Sequence, residues 1–126
     1  MARATAYRAT RAETGDAVAD RLRLAATHWT RLRGLLGTRA LATGDGLWIR
    51  PCRQVHMFGM RYAIDVVFVD DANRVVATVS DLRPWRVSPL VKAATSVLEL
   101  PAGTVARLRL QAGEQLTIVP RSPSAG

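Results

Sequence analysis

The stretch from Ile64 to Ser80 constrains the fold more than any other part of the chain. Ile64-Asp-Val-Val-Phe-Val69 is a short β-branched and aromatic run, Asp70-Asp-Ala-Asn73 supplies turn residues, and Arg74 to Ser80 is a second run of strand type. Two such runs around a polar turn predict an antiparallel hairpin. The period of two puts Ile64, Val66 and Phe68 on one face of the first strand and Asp65 on the other, beside Val67 and Val69. A carboxylate in that apolar company reaches solvent at the strand end or has a fixed donor. Arg33 and Arg61 are the side chains expected to supply it.

Other short elements follow from local signals. Arg21-Leu-Arg-Leu-Ala25 alternates as a strand, and Leu47-Trp-Ile49 is a second, stopped by Pro51. Between them Thr27 caps a helix whose apolar stripe is Trp29, Leu32 and Leu36, with Gly37 as the stop. Arg83 to Thr95, with Pro84 and Pro89, reads as a long loop over the sheet. Ser96 to Leu100 is a strand, Thr104 caps a helical turn through Leu108, and Gln115 to Val119 is the last strand. Several short strands with few helices predict a mainly β (α+β) fold. It is a small, antiparallel, partly closed β-barrel-like sheet with one or two short helices.

A chain of 126 residues suits one domain without disulfide or metal staples. The expected organisation is a flexible basic arm over 1–16, a single β-rich domain over 17–120 and a flexible tail over 121–126. No apolar run approaches the roughly 18 residues that span a bilayer. The N-terminus lacks the apolar core of a secretory signal, and the single cysteine forms no intrachain disulfide, so a cytoplasmic, membrane-free protein is expected.

The net charge is +8, which raises nucleic-acid binding. Only Lys92 among the 18 basic residues is lysine, a bias that GC-rich coding would leave regardless of function. Residues 1–40 carry eight arginines against Glu13, Asp16 and Asp20, so much of the excess sits in the arm and first helix. Trp85 between Arg83 and Arg86 is suited to stacking a base, although no single strand carries an aromatic row.

The segment Pro51 to Asp70 gathers the chemically versatile residues. Arg33, His56, Met60, Arg61 and Asp65 are the candidate ligand-binding set, a few polar groups among apolar neighbours near Gly59. Cys52 and His56, with Met57 and Met60, are soft metal ligands. On an extended chain Cys52 and His56 stand about 13 Å apart, too far to share an ion or act as a thiolate–imidazolium pair. Met57 and Met60 suit core filling. A paired-carboxylate site requires Asp65 and Glu99 to converge. No serine elbow or phosphate loop is present, so no recognised catalytic motif and no cofactor are expected. The leading expectation is a small β-rich binding or scaffold module that takes a small anionic ligand near His56 and Asp65, or an unidentified protein partner. The alternatives are a basic nucleic-acid-binding domain and a Cys/His-dependent enzyme or metal-binding protein.

Taken in order, several pieces resemble the domain of unknown function 192 family of uncharacterised bacterial and archaeal proteins. They are Arg33-Gly-Leu-Leu, Gly46-Leu-Trp, Val55-His-Met-Phe-Gly-Met-Arg, Ile64-Asp-Val-Val-Phe-Val-Asp, Arg74-Val-Val, Pro84-Trp-Arg, Val97-Leu-Glu-Leu-Pro-Ala-Gly-Thr and Gly113-Glu. The resemblance runs from about Arg21 to Val119. Met57 replaces a threonine expected in relatives, and Glu114 a common aspartate. The resemblance implies a compact β-rich domain without an established activity. Some members look exported or membrane-tethered, and neither device is visible in this sequence.

Overall fold

The computed structural model describes residues 6–25 and 41–121. The helix expected after Thr27, Arg33 within it, and the tail beyond Arg121 lie outside the described residues.

Seven strands form one mixed sheet: β1 (Ala6–Arg11), β2 (Ala17–Ala25), β3 (Asp45–Ile49), β4 (Ile64–Val69), β5 (Val75–Leu82), β6 (Ser96–Pro101) and β7 (Leu116–Pro120). Among the described residues one short helix, α1 (Thr104–Leu108), precedes β7. The spatial order is β5-β4-β6-β3-β2-β1-β7, antiparallel throughout except for the parallel pair β2 and β3. The sheet curls into a half-barrel whose outer strands meet where each begins. The Val75 N–H donates to the Glu114 carbonyl at 2.8 Å, Gly113 N–H to Val75 at 2.7 Å, and Leu116 N–H to Asn73 at 3.0 Å. The predicted partly closed, mainly β fold is the fold observed.

The hairpin is as the sequence implies, with Asp70 organising its turn. Its Oδ1 accepts from the Ala72 and Arg74 N–H groups, each at 2.9 Å. The expected flexible arm is overturned over Ala6–Arg11, which is β1 and lies inside the sheet between β2 and β7. Its signal is weak locally because Ala9 alone is fully buried there, while Arg8 and Arg11 pair with Asp20 at 3.3 Å and Glu114 at 3.0 Å. Both acids are remote in sequence from their partners, so local composition reads as a solvated tail.

Apolar residues cover both faces of the central strands, which is why β4 and β6 read as continuous hydrophobic runs rather than alternating ones. The inner cluster includes Leu22, Trp48, Val67, Val69, Leu98, Leu100, Val105 and Leu116. The outer cluster includes Leu47, Val55, Met57, Met60, Ile64, Val66, Phe68 and Val97. The outer one exists because the segments 51–63 and 83–95 lie over that face. Gly46 sits where the layers are tightest: a Cβ there would stand 3.0 Å from side-chain carbons of both Leu22 and Leu100 and 3.1 Å from the Glu99 carbonyl.

Asp65 is fully buried on the inner face, alongside Val67 and Val69 as expected. Its donors are backbone amides, not arginines. Oδ1 accepts from Asp81 N–H at 2.8 Å; Oδ2 accepts from Gly103 N–H at 3.1 Å and Val105 N–H at 2.8 Å. One carboxylate thus fixes the end of β5, where Asp81 adopts φ 55, and the start of α1, where Gly103 adopts φ 95. It takes the place of a local cap. Thr104, expected in that role, instead donates its hydroxyl to the Pro101 carbonyl at 2.7 Å.

Two stability outcomes follow from this packing. Asp65→Ala removes the acceptor of three backbone amides, the buried Val105 N–H among them, and should lower the unfolding free energy by about 1–3 kcal/mol, read from urea denaturation. A midpoint equal to wild type would show that the clamp carries no stability. Gly46→Ala should cost about 1–3 kcal/mol by overpacking; an unchanged midpoint would mean the Leu22 and Leu100 side chains yield freely.

Candidate functional site

The segments over the outer face are zipped together by backbone bonds into an irregular two-stranded ribbon. Cys52 N–H donates to the Thr95 carbonyl at 3.0 Å, Val91 N–H to Arg53 at 2.8 Å, and Ser88 N–H to Val55 at 2.8 Å. Met57 N–H donates to Arg86 at 2.9 Å, Trp85 N–H to Met57 at 2.9 Å, and His56 forms a bridge with Val87. Buried Ser88 stiffens the middle: its hydroxyl accepts from Val55 N–H and donates to the Pro89 carbonyl, both at 2.9 Å. Val55, Met57 and Met60 anchor the ribbon in the outer cluster. The expectation that the methionines fill core holds.

Two tight turns face each other at one end of this ribbon. In Met57-Phe-Gly-Met60 the last N–H donates to the first carbonyl at 3.3 Å, and Gly59 takes φ 81. In Arg83-Pro-Trp-Arg86 the same closure is 3.1 Å, and Trp85 takes φ 68. Positive φ at the third position is the type II requirement, which glycine meets freely and a bulky residue meets only at a cost of about 1–2 kcal/mol. Trp85 bears that strain while 68% exposed. Burial of its side chain therefore does little to offset the strain, a pattern associated with function rather than packing.

The strained turn sets Trp85 beside Phe58, with ring centroids 6.1 Å apart; Phe58 is itself 50% exposed and stacks on His56 at 5.2 Å. The aromatic row absent from any single strand is thus assembled from two loops. Segments 51–63 and 83–95 carry Arg53, Arg61, Arg83, Arg86 and Lys92 and no aspartate or glutamate, and all five basic residues are exposed. Of these, Arg83 pairs with the neighbouring Asp81 at 3.1 Å. Five of the fourteen described basic residues thus lie on two segments that carry no acid of their own, whereas Arg8 and Arg11 of β1 are already paired.

The candidate residues named from sequence distribute as follows. His56 is half-buried in the aromatic row, Met60 is buried beneath the ribbon, and Arg61 is exposed beside it. Asp65 lies on the inner face, with both oxygens bonded to backbone amides. Arg33 lies outside the described residues. Asp65 and Glu99 do not converge. Register pairs Val66 with Glu99 and Asp65 with Leu100, placing the two acids on opposite faces of the sheet. Residues 52–56 are not helical, with a bend at Arg53, and the Cys52 thiol, half-buried, donates to the Gln54 carbonyl at 3.2 Å. Among the described residues no group of three or more His, Cys, Asp or Glu side chains is placed to hold a metal ion. Among them, too, no helix is long and apolar enough to cross a membrane. Phe58 was missed from sequence because nothing local shows that it meets Trp85.

Comparison with known proteins agrees with the architecture. The chain is 30% identical over 107 residues to the UPF0127 protein of Thermococcus sibiricus, covering 81% of this chain and 68% of that one. It is 39% identical over 62 residues to a UPF0127 protein of Pyrococcus abyssi, a match that spans about half of each (49% and 52%). A crystal structure of a protein of unknown function from Novosphingobium aromaticivorans shares the fold, with a TM-score of 0.73 at 22% identity over 89% of this chain and 83% of that one. Residues 9–118 match the profile of DUF192, described as an uncharacterized ACR, and with its ordered motifs and half-barrel sheet the chain belongs to that family.

Proposed function

We propose that this domain is a binding module for single-stranded nucleic acid, with the ribbon of residues 51–63 and 83–95 as its ligand surface. The observation that carries this reading is Trp85: an exposed indole held at positive φ, in a row with Phe58 and His56, on two segments that carry five basic residues and no aspartate or glutamate. Every base offers a π-face, so aromatic platforms beside cations bind single strands with little sequence preference. Arg86 and Lys92 supply phosphate contacts, and Arg83, already fixed by Asp81, contributes less. Duplex DNA hides its base faces and is the poorer ligand. A small anion held jointly by His56 and Asp65 draws less support, because Asp65 is committed to three amides on the far side of the sheet.

Fluorescence anisotropy with a random single-stranded oligonucleotide provides the test. Affinity should fall as salt rises, with a log–log slope of about −2 to −3 for three or four phosphate contacts. Trp85→Ala and Phe58→Ala should each weaken binding by about 1–3 kcal/mol, and Arg86→Gln should flatten the salt slope. Absence of binding at low salt, or wild-type affinity in both aromatic variants, would refute the proposal.

Stability should separate from binding at the same residue. Trp85→Gly relaxes a strained turn and removes little buried surface, so its unfolding free energy should stay within about 1 kcal/mol of wild type while oligonucleotide affinity is lost. A loss of stability well beyond that would assign Trp85 to the core instead.

A further inference from the structure

A second concavity lies away from the aromatic row, where β3 and β4 end and β6 begins. It encloses about 360 Å³, and its walls include Trp48, Arg50, Asp70, Asp71, Asn73 and Ser96. The Trp48, Arg50 and Asp70 side chains are held in place before any ligand arrives. Trp48, nearly buried, donates its indole N–H to Ser96 Oγ at 2.9 Å. The Arg50 guanidinium carbon sits 4.7 Å from the centre of the Trp48 ring, which orients the cation without using its N–H donors. Asp70 Oδ1 is fixed by two backbone amides of the hairpin turn, leaving Oδ2 without a hydrogen bond among the described residues. Asp71 is exposed in the same turn. Among the described residues neither Arg50 nor Asp71 forms an ion pair, although both line one cleft.

Opposite charges that share a concavity yet do not meet leave room for a molecule that presents the complementary charges. We infer that this cleft binds a small zwitterion of the amino-acid class, its carboxylate on the Arg50 guanidinium and its ammonium on the Asp70–Asp71 turn. Guanidinium and carboxylate form a fork of two parallel bonds, for which Arg50, stacked on Trp48, is preorganised. The ammonium has three donors for the free oxygens of the turn. The cleft touches the ribbon only at its base, through Pro51 and Thr95; its charged groups Arg50, Asp70 and Asp71 lie outside the ribbon, so the inference does not rest on nucleic-acid binding.

The test is an NMR titration of the full ¹⁵N-labelled chain with glycine, β-alanine and 4-aminobutyrate, with acetate and ethylammonium as single-charge controls. At least one amino acid should produce saturable shifts at the Trp48 indole N–H and the Asp71 and Asn73 amides. Its affinity should exceed that of either control at least tenfold. Arg50→Gln and Asp71→Asn should each weaken that response at least tenfold. The Asp71 side chain makes no hydrogen bond among the described residues, so its variant should keep the wild-type spectrum elsewhere. The inference is overturned if none of the three amino acids saturates, if acetate or ethylammonium matches them, or if the response survives in Asp71→Asn.

Discussion

The carboxylate of Asp65 is the interaction on which most of the architecture depends. It is a full charge placed inside a sheet, stabilised by three backbone donors instead of a counter-ion. Amide donors in this arrangement do two things at once. They satisfy an anion that would otherwise be expelled from the interior, and they fix backbone that has no regular partner. Because the donors come from the end of β5 and the start of α1, one side chain sets where the hairpin ends and where the chain turns toward β7. The segment that leaves Asp81 is the one that presents Trp85.

The second organising constraint is the covering of the outer face. A curved sheet with one apolar face against solvent would need a partner; here the chain supplies its own cover, the ribbon anchored by Val55, Met57 and Met60. Anchoring residues point inward, so their neighbours in the ribbon point outward, and the outward set is His56, Phe58, Trp85 and Val87. Core formation and display of the aromatic row are therefore one event. A replacement that loosens the anchors should disturb the display even when it touches none of the displayed rings.

Much of this was legible in the sequence because it is locally encoded. The hairpin, the strands ending at Ile49 and starting at Ser96, the helical turn at Thr104, and the face that Asp65 shares with Val67 all follow from periodicity and turn residues. What was not legible depends on contacts between distant segments. Ala6–Arg11 reads as a tail because its partners, β2 and β7, cannot be inferred from its own composition. The donors of Asp65 were sought among arginines because side-chain charges are visible in a sequence and free backbone amides are not. The candidate cluster of His56, Met60, Arg61 and Asp65 reflects nearness along the chain, which a strand divides between two faces. Trp85 stood out from its arginine neighbours, but its left-handed backbone and its pairing with Phe58 arise only when the two turns are brought together.

The central claim is that the ribbon, and not the paired arginines of β1, is the surface that meets a ligand. Backbone amide shifts of the full chain, followed during titration with an unstructured single-stranded oligonucleotide, test it most directly. The account predicts the largest changes at residues 56–59 and 84–87, with little at Arg8 or Arg11. Changes centred on β1 and β7, or none anywhere at low salt, would contradict it.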